Sequence, residues 1–195
     1  MSSHTRKILE DYLHSLEIDT KFILDVGGSQ LSVRKRLKRC EYNTYKILDL
    51  PNPHEGGQVD YAVNLDDNHE MLFRAEEQKP TCIFCLEVTE YLWNPLQAIK
   101  NMHSWLEPNG TLYISFPLLY PMHPPTGKDY MRYTKYGAVR LLKECGFKVE
   151  DVIRRGCKNP DNYMRFLHGE GYKHDKTMKP YQLAIDGVII KAIKI

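Results

Sequence analysis

The chain carries almost no surplus charge: 27 Lys and Arg stand against 25 Asp and Glu, a formal net charge of +2. That removes the global attraction by which basic proteins gather nucleic acid or anionic lipid, so partners have to be sought at individual sites. Cysteine is sparse and odd in number, with Cys40, Cys82, Cys85, Cys145 and Cys157 scattered through apolar stretches. A secreted disulfide framework would show a denser, even set, so a reducing, cytoplasmic setting is expected. No apolar run nears the ~20 residues of a membrane-spanning helix. The polar start Met1-Ser2-Ser3-His4-Thr5-Arg6-Lys7 is unlike a secretory signal. Cys82-Ile83-Phe84-Cys85 has the spacing of half a zinc site, but no second pair or His cluster accompanies it, so a buried strand with inert thiols is expected and no metal. There is no internal repeat.

What the chain does have is a core. At 42% hydrophobic over 195 residues, it fits one domain spanning 1–195. Ile8, Leu9, Tyr12, Leu13 and Leu16 recur at helical spacing, which predicts an amphipathic helix within residues 1–20 that acts as a lid or brace. Phe22-Ile23-Leu24-Asp25-Val26 is a short apolar run closed by Gly27-Gly28, the pattern of a buried parallel strand entering a tight turn, and Ser29 to Leu37 then reads as helical. Further strands are expected at 45–50, 62–65, 82–86, 112–116, 147–153 and 184–195, with helices at 96–106 and 137–145. Strands alternating with helices predict an α/β fold, a Rossmann-like, mostly parallel seven-stranded sheet with helices on both faces and ligands at the carboxyl ends of the strands. Two stretches break the pattern, 118–133 and the irregular insertion 156–180; their aromatics suggest pocket walls.

Two segments carry a family resemblance: Cys85-Leu86-Glu87-Val88-Thr89-Glu90-Tyr91-Leu92-Trp93-Asn94-Pro95, and Leu106-Glu107-Pro108-Asn109-Gly110 leading into Thr111 to Pro117. They resemble the acid-rich turn and the L-x-P-x-G strand entry of class I small-molecule methyltransferases, which use S-adenosylmethionine. The resemblance covers roughly residues 22 to 150 and implies that the last strand, 184–195, runs antiparallel. It also implies a cofactor site. Asp25, Gly27, Gly28 and Ser29 occupy the acidic glycine loop D-x-G-x-G, with Ser29 in place of the second glycine and Leu31 of the next. Asp49, about twenty residues on, matches the acid that accepts both ribose hydroxyls; it can also be read as a turn cap before Pro51. Asn64 and the Leu65 amide would face the adenine, with Asp66 as the alternative, and Glu87 would close over the cofactor from the other side.

The nicotinamide fingerprint G-x-G-x-x-G starting at Gly27 fails at Ser29 and Ser32. The Asn/Asp-Pro-Pro-aromatic turn of DNA methyltransferases is missing after Leu86. Arg34, Lys35, Arg36, Lys38 and Arg39 form a basic run that reads as a solvated helix face.

His123, Asp129, Tyr130, Arg132, Tyr133 and Thr134, followed by Gly146-Phe147, are similar to an H…DyxRyT…GF signature in a subset of the same family that includes enzymes of sugar and polysaccharide pathways. The resemblance implies an acceptor site. His123 has the pKa range of a general base for a hydroxyl acceptor, and Asp129 can orient or replace it. Arg132 can bind an acidic acceptor group, and Tyr130 and Tyr133 can stack on a ring. The alternative is structural: a loop hydrogen bond for His123, and an i,i+3 ion pair of Asp129 with Arg132 before a Thr134 helix cap. In the turn after the fourth strand Tyr91 stands where the family often has histidine. The expected function is methyl transfer to a small-molecule oxygen or nitrogen, with a sugar or glycan-pathway intermediate as the preferred acceptor. Its rivals are a non-catalytic relative serving as a scaffold and a methyltransferase acting on protein or nucleic acid.

Overall fold

The computed structural model describes residues 4–53, 57–73, 78–118, 122, 125, 127–156 and 187–195. The chain runs α1 (His4–Leu13), β1 (Glu17–Val26), β2 (Arg39–Asp49), β3 (Tyr61–Ala62), β4 (Cys82–Cys85), α2 (Pro95–Trp105), β5 (Thr111–Phe116), α3 (Lys135–Glu144), β6 (Phe147–Arg155) and β7 (Gly187–Lys194). The seven strands form one sheet in the order β3-β2-β1-β4-β5-β7-β6. All neighbours pair in parallel except β7, which is inserted antiparallel between β5 and β6. The expected fold class and the antiparallel last strand are therefore present.

Strand alternation divides the core between the two faces of the sheet. Leu24 and Val26 of β1, Ile83 and Cys85 of β4, Leu112 and Ile114 of β5 and Ile190 of β7 pack with α2 and α3 through Ile99, Met102, Trp105 and Leu142. The intervening residues Ile23, Cys82, Phe84, Tyr113 and Ile189 turn to the opposite face, where Leu9 and Leu13 of α1 are fully buried against them. α2 begins where its sequence says it should: the Asn94 side chain accepts from the Gln97 amide and Pro95 occupies the first turn. Thr134 caps α3 in the same way through the Gly137 amide.

Three elements depart from expectation. Residues 29–37 do not form a helix; only a 3-10 turn at Val33–Lys35 is present. Its start is taken by the Asp25 carboxylate, which accepts from the Val33 amide at 2.8 Å, and Ser32 shares a hydrogen bond with the Tyr45 hydroxyl, so side chains offer the backbone a rival to the helical ladder. The basic run on this segment is accordingly not a helix face, although Arg34, Lys35, Lys38 and Arg39 are exposed as expected. Arg36 is buried and grips Glu10 of α1 through two hydrogen bonds of 2.9 and 2.8 Å. The third strand is shorter than expected, Tyr61–Ala62, because the chain turns at Asn64, whose side-chain oxygen accepts from the Asp66 amide at 3.2 Å. β2, conversely, starts six residues earlier than its apolar run, since Arg39 to Tyr42 pair with Glu17 to Thr20 of β1.

The turn after β3 is locked to α2 by one amide. Asn101 is fully buried; its nitrogen donates to the carbonyls of Leu65 and Asp67, and its oxygen accepts from the His69 amide and Gln97. Trp105 adds a 2.6 Å bond to the His69 carbonyl. Asn101→Ala strips partners from buried carbonyls, so it is expected to destabilise the fold by roughly 2–4 kcal/mol. Urea denaturation checks this, and an unchanged midpoint would show that the turn is held by other contacts.

Candidate functional site

Strand order reverses between β1 and β4, and a cleft of about 840 Å³ opens at the carboxyl ends of the strands there. Its walls include Gly27, Asp49, Asn64, Leu65, Asp66, Glu87, Glu90, Lys128, Tyr130 and Arg6.

The glycine turn leaves β1 at Gly27, whose φ of +75° disfavours other residues and whose missing Cβ would lie 2.3 Å from a Val88 methyl. A Cβ on Gly28 would lie 2.3 Å from the Asp25 carboxyl. Asp25 sits behind the turn and outside the cleft wall, and it accepts from Val33 and, through a short hydrogen bond, from the Tyr45 hydroxyl. Burial raises its carboxyl from 3.8 to about 6 against the pull of these donors and of Arg36. Ser29 turns toward β2, its amide and hydroxyl donating to Asp49 Oδ2 at 3.3 and 2.5 Å. Asp49 closes β2, lines the cleft and takes the Leu50 amide on its other oxygen at 2.8 Å. Asp49 thus makes the turn hydrogen bond of the cap reading and also lines the cleft.

On the next wall Asn64, Leu65 and Asp66 come together; Asp66 Oδ1 accepts from the Asn94 amide at 2.8 Å, which ties this turn to the start of α2. Glu87 adopts φ +58° after β4 and reaches across the sheet to Arg155 at the end of β6. The pair is two-pronged, with one short contact and one of 3.0 Å, and Ser115 donates to Glu87 Oε1 at 3.0 Å. Burial opposes ionisation of Glu87, but Arg155, Ser115 and Arg6 together hold its carboxyl below the usual range.

The acceptor-side residues separate. His123 lies outside the described residues. Asp129, with a side chain 3% exposed, forms the two-pronged i,i+3 ion pair with Arg132. The ion pair of the structural alternative is therefore present, and neither residue is part of the cleft wall among the described residues. Tyr133 is a core residue: its hydroxyl donates to the Thr89 carbonyl at 2.9 Å and its ring packs edge-on to Phe116. Tyr130 does line the cleft; its amide donates to the Glu90 carbonyl at 2.7 Å, and its ring meets the exposed Trp93 edge-on.

Sequence reasoning missed Arg6, Glu90, Trp93, Lys128 and Arg155. Arg155 is 68 residues from Glu87, so no local spacing could announce their pairing. Trp93 had a signal, a large aromatic beside the helix-starting Asn94-Pro95. Among the described residues there is no group of metal-ligating side chains and no helix long and apolar enough to cross a membrane.

A seven-stranded sheet with this order, a lone antiparallel strand and a cleft at the switch point define the class I methyltransferase fold. The family described as "Methyltransferase domain" matches residues 1–152, and the chain belongs to it. It is a methyltransferase of the kind that uses S-adenosylmethionine. Solved structures share the fold at low identity. An S-adenosylmethionine-dependent methyltransferase from Mesorhizobium loti is 13% identical with a TM-score of 0.56, over 97% of this chain and 95% of that one. A Burkholderia thailandensis 1,6-didemethyltoxoflavin-N1-methyltransferase, bound to 1,6-didemethyltoxoflavin and S-adenosylhomocysteine, is 14% identical with a TM-score of 0.58, over 98% of this chain and 78% of that one. The cyclase SpnF is 15% identical with a TM-score of 0.58, over 97% and 81% of the two chains. No curated protein matches the chain.

The buried Asp25 gives the fold a pH signature. Its folded pKa lies above the unfolded one, so the folded state holds the extra proton between about pH 4 and 6 and loses stability as pH rises through that window. Asp25→Asn does not titrate. Relative to wild type it is expected to gain roughly 2–3 kcal/mol between pH 4 and 7, read from urea midpoints at each pH. A difference that stays flat across this range would mean that Asp25 does not titrate there.

Proposed function

We propose that this methyltransferase acts on a small-molecule oxygen or nitrogen acceptor, with a sugar or glycan-pathway intermediate as the favoured class. The observation that carries the reading is the cleft itself: it is bounded toward β5 by the segment holding Lys128 and Tyr130, pinned to the Glu90 carbonyl, and its volume is that of a small-ligand site. The Burkholderia neighbour, which holds a small ring acceptor beside its cofactor product, supports a small-molecule substrate. The near-neutral charge gives no support to a nucleic-acid substrate.

The cleft fits the cofactor on its own geometry. Gly27 lets the turn close on Val88 with its backbone at the cleft wall, and carboxylates at Asp49, Asp66, Glu87 and Glu90 suit a ligand rich in hydroxyl, amino and sulfonium groups. In this reading Asp49 accepts from the ribose and Asn64 and the Leu65 amide face the adenine. Gly27, Gly28 and Ser29 border the amino-acid arm, which Glu87 flanks from the far side, and Asp25 supports the turn from behind. When bound, the cofactor supplies an electrophilic methyl group. The chain's residues orient the acceptor and exclude water, the larger part of catalysis in a direct displacement. His123 is proposed as the base that takes the acceptor proton, with Asp129 and Arg132 shaping its loop and Tyr130 offering a ring face. The four described cysteines are all free thiols, which supports a reducing, cytoplasmic setting.

Calorimetric titration with S-adenosylmethionine and S-adenosylhomocysteine tests the cofactor half. Asp49→Ala is expected to weaken both by roughly 10- to 100-fold, the size of a lost pair of charge-assisted hydrogen bonds; equal affinity in the variant would remove Asp49 from the site. Once a screen finds the acceptor, His123→Ala should lower kcat by ~10²–10⁴-fold while leaving homocysteine-product affinity unchanged. A variant with full turnover would refute the base assignment.

A further inference from the structure

We infer that α1 is part of the cofactor site, and that Arg6 receives the carboxylate at the amino-acid end of S-adenosylmethionine while Glu10 and Arg155 hold the helix in position for it. The inference rests on the cofactor reading above and names the group that reading leaves without a partner.

The ligand carries a carboxylate as well as an ammonium and a sulfonium. The described cleft wall offers four carboxylates and two cations, Arg6 and Lys128. The carboxylate therefore has two candidate partners. Lys128 belongs to the segment after β5, two residues before Tyr130, on the acceptor side. Arg6 belongs to α1, which packs on the sheet face opposite α2 and α3. It acts electrostatically on Glu87, two residues beyond β4, and it shares the wall with Gly27. With Asp49 and Asn64 at the ends of β2 and β3 taking the nucleoside, the amino-acid arm extends past Gly27 toward β4, which brings its carboxylate to Arg6.

Arg6 is also held for the task. Its Nε donates to Glu10 one turn on, at 2.8 Å, and its side chain is 27% exposed. Glu10 is in turn gripped by the buried Arg36, which lies under the glycine turn close enough to act on Asp25. At the other end of the helix start, Arg155 donates through Nε to the Thr5 carbonyl at 3.2 Å while its terminal nitrogens hold Glu87. A helix that served only as a brace would need Leu9 and Leu13, which fill the core. It would not need a guanidinium in the cleft wall, held by a Glu10 that Arg36 grips in turn. Fixing a donor fork before the ligand arrives lowers the ordering cost of binding.

Calorimetry of the full chain with two probes tests this: S-adenosylhomocysteine, and 5′-methylthioadenosine, which keeps the nucleoside and thioether and lacks the amino acid. Arg6→Gln is expected to weaken S-adenosylhomocysteine by roughly 10- to 100-fold and to change methylthioadenosine by less than about twofold. Glu10→Gln should weaken only the former, by a smaller factor, and Arg6→Lys should retain part of the preference. Unchanged or equal losses for both probes in Arg6→Gln, with wild type binding both, would overturn the inference and leave the cofactor reading standing. If Arg6→Gln does not fold, Arg6→Lys decides by the same ratio of the two affinities. Wild type binding neither probe would sink the cofactor reading, and this inference with it.

Discussion

The ion pair between Glu87 and Arg155 is the constraint on which the site depends. β4 and β6 are separated in the sheet by β5 and β7, so the two side chains meet only by spanning both intervening strands above their ends. Arg155 is 2% exposed and the Glu87 side chain 16%, and taking two charges out of water costs several kcal/mol per ion. The pair persists because nearly every polar atom in it is used: two prongs of the guanidinium on the carboxylate, Ser115 on one carboxylate oxygen, and the third guanidinium nitrogen on Thr5. Glu87 also accepts a left-handed backbone, which costs a non-glycine residue of order 1 kcal/mol or more. That conformation is what turns its carboxylate back across the sheet. Four elements, β4, β5, β6 and α1, are thus joined at a single carboxylate in the cleft wall.

The glycine turn shows how a loop with fewer glycines than its family's pattern keeps its shape. A glycine-rich loop relies on absent side chains; this one relies on side-chain hydrogen bonds. Ser29, where a second glycine is usual, spends its amide and hydroxyl on Asp49, and Asp25 holds the following 3-10 turn through Val33 and Tyr45. The same bonds explain why no helix follows. An Asp25 carboxylate that occupies the Val33 amide, together with the buried Arg36 three residues later, fixes a path that a regular helix over 29–37 could not follow. The departure from the pattern is a local exchange of backbone freedom for hydrogen bonding, and the cleft beside it remains open.

Strong periodic signals were legible. β1, β4, β5 and the two helices on one face follow from apolar runs, Asn94-Pro95 and Thr134, because burial and capping are local chemistry. Asp49, Asn64, Leu65 and Glu87 were found through motif order, and they meet in one cleft because strand ends at a switch point must converge. What stayed hidden is non-local. The pairing of Asp129 with Arg132 satisfies an i,i+3 spacing that suits a catalytic acid and its partner as well as a structural pair, and its burial is invisible in the spacing. Tyr133 looks like a ring-stacking residue until the Thr89 carbonyl takes its hydroxyl. Arg36 looks solvated until Glu10, 26 residues away, closes over it. Each of these depends on a contact whose other half lies on a different element.

Charge, more than glycine count, separates the possible ligands of such a cleft. A dinucleotide brings a pyrophosphate, two negative charges that must sit near the first turn of the fold. Here that turn is followed by no helix whose N-terminus could receive them, and the wall around it carries Asp49, Asp66, Glu87 and Glu90 against Arg6 and Lys128. Like charges at a few ångströms repel by several kcal/mol at the effective dielectric of a partly buried site. A sulfonium nucleoside would reverse the balance: its two positive groups would gain from the same carboxylates, and its hydroxyl and amino groups are donors that a wall holding Asp49 and Asn64 can accept. Only its carboxylate is out of place among acids, and of the two cations that the described residues bring to the wall, Arg6 comes from the helix that the Glu87–Arg155 pair secures.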